Sequence, residues 1–226
     1  MTNATHDVII VGGGAAGLSA ALVLGRARRT VAVVDAGAPR NAPAERMHGF
    51  LSRDGMPPAD LLATARGELR GYGVELVDDQ VVDVTGALEL RLAGGRRVKA
   101  RRLLLATGAV DELPDIPGAR ERWGRDFLHC PYCHGWEVRD RAIGVLATDP
   151  ASVDHAHLLR QWSDDVVFFT HTHALADVER AGLEANDSAS ASWRRARGGT
   201  DTRPALLSTP RGVFIEELCR NESRSR

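Results

Sequence analysis

Short apolar runs alternate with longer amphipathic segments over most of the chain. Runs of strand length occupy residues 7–11, 30–34, 102–106, 142–147 and 165–169. Apolar residues recur at helical spacing in three segments between them, 15–28, 58–71 and 151–162. Buried strands that alternate with helices predict an α/β fold built on parallel sheets.

Three regions depart from this alternation. Residues 74–98 carry short alternating segments separated by turns, which predict a small antiparallel β insertion. Residues 36–58 are rich in Pro, Gly and Asn and are predicted to form a loop. Residues 187–226 are rich in Ser, Arg and Gly and carry few clustered apolar side chains, so we predict an irregular or disordered tail.

The chain of 226 residues is long enough for two small domains, each with its own core. Pro114 and Pro117 mark the predicted boundary between them. We therefore expect a first domain over 1–113, a second over 114–186, and the tail after it.

The charge balance gives no electrostatic reason for a nucleic-acid or membrane partner, because 29 basic and 30 acidic residues leave a formal net charge of −1. No apolar run approaches the roughly 20 residues that a membrane helix needs. The first seven residues lack the basic and apolar regions of a signal peptide. We expect a cytoplasmic protein, in which a cysteine pair is more often catalytic than structural.

A glycine-rich turn links the first predicted strand to the first helix. Residues 12–17 read Gly-Gly-Gly-Ala-Ala-Gly and fit the G-x-G-x-x-G pattern of dinucleotide-binding folds. Gly12 allows the sharp turn, Gly14 lets the backbone approach a pyrophosphate, and Gly17 allows close helix packing. Asp35 ends the second strand and is placed to accept hydrogen bonds from a ribose. The spacing does not distinguish FAD from NAD.

The second strand-turn-helix unit lacks such a turn. Residues 147–152 read Ala-Thr-Asp-Pro-Ala-Ser, without glycine. Asp149 would set a negative charge against a phosphate, and Pro150 has no amide to donate. We therefore predict two nucleotide-binding, Rossmann-like, three-layer domains, of which the first carries the antiparallel insertion and the second does not favour NADPH.

Two of the three cysteines form a C-x-x-C pair, Cys130 and Cys133, between these units. At a helix start this spacing lowers a thiol pKa and lets a disulfide form and break without unfolding the chain, which favours redox chemistry. The segment also fits c-type haem attachment through Cys130, Cys133 and His134, half of a zinc site that includes His129, or packed thiols. Haem attachment needs export and zinc a second ligand pair, and the sequence shows neither.

Other polar residues carry weaker signals. The loop offers Arg40, Asn41, His48 and Arg53 as ligand candidates, each of which is as readily a solvated side chain. Four further histidines are interpreted as surface residues rather than metal ligands: His155, His157, His171 and His173. The third cysteine, Cys219, is interpreted as incidental.

The order of these parts, with Ala106-Thr107-Gly108 between the glycine turn and the C-x-x-C pair, resembles the low-molecular-weight thioredoxin reductases. It is more closely similar to the thioredoxin reductase-like flavoproteins that include the dithiol oxidases of disulfide natural-product pathways. The resemblance covers about residues 7–180 and implies an FAD-dependent pyridine nucleotide-disulfide oxidoreductase.

The resemblance implies a role for each matching position. Cys133 falls where the family's cysteine faces the flavin, and Cys130 where the outer cysteine meets the substrate. His134 stands where thioredoxin reductases carry an acidic proton donor and some of the oxidases carry histidine. Contacts to FAD are implied for Gly12, Gly14, Ala15, Ala16, Gly17, Asp35, Arg40, Val82, Ala106, Thr107 and Gly108.

The sequence departs from the family at two places. No basic cluster for a 2′-phosphate follows Phe169, where Thr-His-Thr-His stands instead. Residues 187–226 contain no Gly-Asp return segment of the kind that completes the family's FAD domain. We therefore expect a truncated or frame-altered relative, or an incomplete FAD site, with weakly held FAD and a protease-sensitive tail.

The leading hypothesis is that a substrate dithiol attacks the disulfide at Cys130 and releases Cys133 as the thiolate that reduces the flavin, with His134 handling the proton. Oxygen then takes the electrons. The first alternative is an NADPH-dependent thioredoxin-disulfide reductase, and the second is a catalytically dead relative. The implied partners are a small-molecule dithiol or a thioredoxin-like protein, and the family implies a homodimer.

Overall fold

The computed structural model describes residues 5–185, 194–195, 212–215 and 219–220. These residues divide into two compact units. The first contains residues 5–42 and 56–110, and the second contains residues 43–55 and the described residues from 111 onward. No helix among the described residues is long and apolar enough to cross a membrane.

The first unit is built on one six-stranded sheet with two helices. Its elements are β1 (Thr5–Val11), α1 (Ala15–Arg26), β2 (Val31–Asp35), α2 (Pro58–Arg70), β3 (Glu75–Asp78), β4 (Val81–Val84), β5 (Glu89–Leu92) and β6 (Arg97–Leu105). The strand order is β3-β2-β1-β6-β5-β4. The first four strands of that order are parallel, and β4, β5 and β6 pair antiparallel. The predicted α/β class with a parallel-dominated sheet is confirmed.

The predicted antiparallel insertion is smaller than expected. Of residues 74–77, assigned to it from the sequence, 75–77 belong to β3, which pairs parallel with β2. The segments 97–98 and 102–106, expected as separate strands, are largely one strand, β6. The first part of β6 pairs with β5 on one side, and residues 99–105 pair with β1 on the other. The change of neighbour explains why the sequence pattern changes midway along a single strand.

Alternation along β1 divides the core of this unit between two faces of the sheet. Ile9 packs with Ala32 and Leu90, and Ile10 packs with Leu18 of α1 and Leu69 of α2. Both isoleucines are fully buried, and each contributes about 1.5–3 kcal/mol by leaving water. The helices therefore cover the Ile10 face, and the turn before α1 is fixed at the carboxyl end of β1.

The second unit contains a parallel sheet of five strands, in the order β11 (Arg194–Arg195), β10 (Val166–Thr170), β9 (Ile143–Ala147), β12 (Gly212–Ile215) and β8 (Phe127–Leu128). Its central strand β9 is buried at all five residues. In chain order, starting from a strand that spans the boundary, the elements are β7 (Val110–Asp111), α3 (Ala119–Arg122), β8 (Phe127–Leu128), α4 (Pro131–Val138), β9 (Ile143–Ala147), α5 (Ala151–Leu159), β10 (Val166–Thr170), α6 (Asp177–Ala185), β11 (Arg194–Arg195), β12 (Gly212–Ile215) and β13 (Cys219–Arg220).

The predicted tail falls mostly outside the described residues. Within the segment 187–226, only the backbones of β11, β12 and β13 are described. The strand β12 lies between β8 and β9 in the sheet. The predicted irregular character of the remaining tail residues and its protease sensitivity stay predictions.

The turn between β1 and α1 depends on two glycines for steric reasons. Gly12 has a φ of +109°, and a Cβ atom there would overlap the Ala106 carbonyl group. A Cβ atom at Gly17 would overlap the carbonyl oxygen of Gly12 and lie 3.3 Å from Cγ2 of Ile10. The helix can therefore approach the strand this closely only without a side chain at position 17.

We expect Gly17→Ala to destabilise the first unit by at least about 1–3 kcal/mol, because the added methyl group overpacks the contact with the turn. The matched control is Gly67→Ala in α2, where nothing lies within 4 Å of the added Cβ. The control should stabilise by roughly 0.5–1 kcal/mol through helix propensity. Urea unfolding followed by circular dichroism measures both changes, and equal effects in the two variants would contradict this account.

Candidate functional site

The carboxyl ends of β1 and β6 bring two of the predicted FAD segments together. The Ala106 N–H donates to the Val11 carbonyl oxygen at 2.8 Å, which continues the strand pairing past β6. The Gly12 N–H donates to the Val34 carbonyl oxygen at 2.8 Å. The segment Ala106-Thr107-Gly108 therefore begins against the glycine turn, as parallel pairing of β1 and β6 requires.

The N-terminus of α1 is open. Gly14 is the N-cap residue, no side chain caps the helix, and its first turn contains no acidic residue. Ala15 and Ala16 are exposed, and a Cβ atom at Gly14 would meet nothing within 4 Å. Since Gly14 has a φ of −76°, which any residue adopts, the fold itself does not require glycine there. Small residues around free amides fit a pyrophosphate.

Asp35 lies beside the same turn and is already paired. Its carboxylate forms an ion pair with Arg66 of α2, and it accepts a hydrogen bond from the Gly37 N–H at 3.3 Å. A Cβ atom at Gly13 would lie 2.5 Å from the Asp35 carboxylate. The close approach of Asp35 explains the second glycine of the turn, which has no role in the G-x-G-x-x-G pattern.

A cavity of about 320 Å³ adjoins this carboxylate, and Arg66 and Asp78 are among its lining residues. Arg66 joins the two acids, since its Nη1 lies 3.0 Å from Asp78 Oδ1. The sequence analysis missed Arg66, because a single arginine on the polar side of a predicted helix carries no signal of its partner. A ribose at Asp35 would share the carboxylate with this guanidinium.

Two further residues with implied FAD contacts, Arg40 and Val82, lie outside this cavity. Arg40 is exposed in the loop after β2, and Val82 is 45% exposed on the edge strand β4. Neither lines the cavity at Asp35. Their implied contacts with FAD stay predictions.

The turn before α5 differs physically from the turn before α1. The Ser152 Oγ accepts hydrogen bonds from the Thr148 N–H at 3.2 Å and the Asp149 N–H at 3.4 Å. The Asp149 carboxylate accepts one from the Ala151 N–H at 2.7 Å. The amides that a phosphate would need are therefore taken by side chains of the turn itself.

The C-x-x-C pair opens α4. Cys130 is the N-cap residue and Pro131 the first helical residue. Cys130 and Cys133 form a disulfide with Cα atoms 5.2 Å apart, and both residues are half-buried. A Cβ atom at Gly135 would lie 2.9 Å from the ring of Trp162, so the helix is held closely against that ring. The described residues contain no group of three or more His, Cys, Asp or Glu that could hold a metal ion.

Two cavities adjoin α4. The Cys130 cavity has a volume of about 370 Å³, and its lining includes His129, Cys130, Tyr132, Asp154, His155 and Leu158. The His134 cavity has a volume of about 570 Å³, and its lining includes Arg46, His48, Arg125, His134, Glu137 and Val138. Each cavity thus contains one member of the predicted catalytic set and at least one further imidazole.

His134 sits in a charged environment. Burial lowers the pKa of His134, the charge of Glu137 raises it, and the charge of His48 lowers it, with burial the largest of the three effects. His48 Nε2 lies 3.4 Å from Glu137 Oε1. Because protonation is disfavoured in the folded state, the stability that His134 contributes is present above about pH 6.5 and is lost as the pH falls toward the folded pKa. The lowered pKa therefore favours the neutral imidazole.

The interpretation of His155 as a surface residue is wrong. The residue is 6% exposed, because α5 turns the face that carries His155, Ala156 and Leu159 inward.

The sequence analysis did not identify Glu137 as a residue of this site. Its position three residues after His134, on the same side of α4, was a usable signal. Nothing in the sequence indicated that His48 acts on His134, because the loop that carries His48 has no periodic pattern.

Comparison with known proteins places this geometry among redox enzymes. The sequence model of the family described as pyridine nucleotide-disulphide oxidoreductase matches residues 6–161. The chain is 40% identical over 165 residues to a thioredoxin reductase of Claviceps purpurea, covering 69% of this chain and 51% of that protein. The chain spans about half the length of the curated relatives it matches.

Solved structures agree with the sequence comparison. The crystal structure of HlmI superposes with a TM-score of 0.85 at 48% identity, covering 96% of this chain and 74% of that one. A thioredoxin reductase TrxB of Bacillus anthracis, described as putative in its crystal structure, superposes with a TM-score of 0.85 at 29% identity, covering 95% of this chain and 76% of that one.

We expect Glu137→Gln to lower the pKa of His134 further, because it removes the negative charge that favours the imidazolium. Glu45→Gln is the matched control, since Glu45 lines the same cavity but is not among the charges that act on His134. NMR titration of the histidine ring signals measures both midpoints. A wild-type midpoint above about 6.5, or a higher midpoint in Glu137→Gln, would contradict the assignment.

Proposed function

Because the chain belongs to the pyridine nucleotide-disulphide oxidoreductases and is thioredoxin reductase-like, we propose that it is an FAD-dependent thiol-disulfide oxidoreductase. Cys130 and Cys133 exchange electrons between a dithiol or disulfide substrate and the flavin. The observation that carries the proposal is the half-buried disulfide at the N-terminus of α4, followed directly by an imidazole. The family resemblance expected from the sequence is confirmed.

The first unit fits FAD. The open N-terminus of α1, with Gly14, Ala15 and Ala16, would hold the pyrophosphate, and Asp35 would hold a ribose. Thr107 and Gly108 follow β6 beside that turn and would lie along the bound cofactor. Bound FAD supplies the acceptor or donor for the electron pair of the disulfide.

The second unit supplies the sulfur chemistry. A substrate thiolate forms a bond to Cys130 Sγ while the bond between the two Sγ atoms breaks, and Cys133 leaves as a thiolate. Cys133 lies in the first turn of α4, where the helix dipole favours a thiolate. Burial lowers the pKa of His134, which favours the neutral imidazole; that imidazole can remove the proton from Cys133 whenever the thiolate becomes protonated, and so return the sulfur to its ionised form.

We favour oxidation of a dithiol over reduction by NADPH. The turn before α5 has its amides occupied by Ser152 and Asp149, which disfavours a pyrophosphate at that helix. With no hydride donor held there, electrons enter from the substrate thiols and leave through the flavin to oxygen. The substrate is then a small-molecule dithiol.

The second candidate is an NADPH-dependent thioredoxin-disulfide reductase, supported by the thioredoxin reductases that the chain resembles. In this case the partner is a thioredoxin-like protein, and NADPH must bind without the glycine turn. The family resemblance implies a homodimer. A third candidate is a relative that keeps the first nucleotide fold but binds no flavin. Such a protein would be colourless.

The absorption spectrum distinguishes the candidates. After incubation with FAD and removal of the excess, we expect a yellow protein that dithiothreitol bleaches under nitrogen and NADPH does not. Cys133→Ser should stay yellow and lose this bleaching, because its hydroxyl cannot carry the electrons, while buried Ser163→Ala serves as a control outside the sulfur site. Bleaching by NADPH would support the reductase, and a colourless protein, or rapid bleaching of Cys133→Ser, would refute the proposal.

Gly14→Val should fold normally and lose FAD, because the fold leaves open space at this position that only a close ligand would fill. Gly67→Val is the control, since its Cβ is equally uncrowded and far from the turn in sequence. Circular dichroism tests the fold, and equilibrium dialysis with FAD tests binding. A Gly14→Val protein that binds FAD as wild type does would show that the cofactor is not held at this turn.

A further inference from the structure

The Cys130 cavity is suited in size and lining to a small organic molecule. Its volume of about 370 Å³ lies within the range of roughly 300–1,000 Å³ that is usual for small-molecule sites. Pro131, Tyr132 and Leu158 provide apolar walls, and Asp154 and His155 provide polar groups. One wall is therefore the segment that carries the reactive sulfur, and the other wall is α5.

The α5 wall is not built to bind phosphate. Ala151, the first residue of α5, lines the cavity, and its N–H is bonded to the Asp149 carboxylate. Asp154 adds a negative charge one turn further along the helix. These carboxylates repel an anionic nucleotide at the start of the helix, and they do not repel a neutral thiol.

We propose that the Cys130 cavity is the subsite at which a small-molecule dithiol reaches Cys130, and that His155 accepts the proton of the attacking thiol. The proposal rests on the proposed function and names the place and chemistry of its substrate. His155 is suited to this role because its imidazole lines the cavity and is buried with the inward face of α5.

The step balances without a further reagent. His155 takes the proton of the first substrate thiol, the thiolate forms a bond to Cys130 Sγ, and the disulfide bond to Cys133 breaks. The second substrate thiol then attacks the substrate sulfur of the mixed disulfide, its proton passes to the departing Cys130 thiolate, and the substrate disulfide forms. The substrate is oxidised by two electrons, and the two cysteine sulfurs are reduced.

The first substrate proton is accepted by His155 and the second by Cys130. His155 lines the cavity of Cys130, and His134 lines the other cavity. The titratable side chains that line the Cys130 cavity, besides its cysteine, are His129, Tyr132, Asp154 and His155. Substitution of His155 should therefore affect attack on Cys130 without altering the environment of His134.

The test uses FAD-loaded protein and dithiothreitol, with bleaching followed by stopped flow under nitrogen. Leu158→Trp narrows the cavity and should raise the dithiothreitol concentration for half-maximal rate at least about tenfold. Ala151→Phe, at an exposed position of the same cavity, should act in the same direction even if the larger change at Leu158 disturbs folding. His157→Gln is the matched control, since His157 belongs to α5 but does not line the cavity, and it should match wild type.

His155→Gln should slow bleaching at pH 7 by about a hundredfold, the lower end of general base effects. The deficit should shrink as the pH approaches about 8.5, where a thiol ionises without a base. Wild-type behaviour of Leu158→Trp, Ala151→Phe and His155→Gln would overturn the proposal. A raised half-maximal concentration in Arg125→Ala alone would also overturn it by placing the substrate in the His134 cavity. If dithiothreitol fails to bleach even wild type, the proposed function itself fails.

Discussion

The close backbone approach at the turn between β1 and α1 is the constraint on which the first unit depends. Gly12 meets the Ala106 carbonyl group, and Gly17 meets Gly12, so strand, turn and helix touch without any side chain between them. This contact sets the height of α1 over the sheet and leaves the helix amides at the carboxyl ends of the strands. The small residues that the packing requires thus also create the space that a cofactor needs.

Three helix N-termini in this protein show how one physical feature is used in different ways. The N-terminus of α1 is uncapped and bordered by alanines, which suits a pyrophosphate. The N-terminus of α5 is satisfied by Asp149 and Ser152. The N-terminus of α4 carries a disulfide, which suits sulfur that must ionise. The side chains at each end, rather than the helices themselves, determine these differences.

The sulfur site is organised by the close packing of α4. Gly135 lets the helix lie against the Trp162 ring, and α4 adjoins two cavities with different linings, one of which includes Cys130. His134 shares its cavity with Glu137 and His48, whose charges act on its pKa in opposite directions. His155 lines the other cavity. Each cavity therefore contains a histidine to which the proposals assign proton transfer.

The sequence by itself determined the main buried strands, the helices α1, α2 and α5, the glycine turn and the C-x-x-C pair at a helix start, because these follow from local periodicity and spacing. Local pattern also exposed the loss of the second glycine turn. Only the tertiary structure decided that β6 is one strand with two neighbours, that Arg66 pairs with Asp35, and that His155 is buried. Each of these depends on contacts between residues distant in the chain, and single-residue patterns carry no information about which distant partner a side chain will meet.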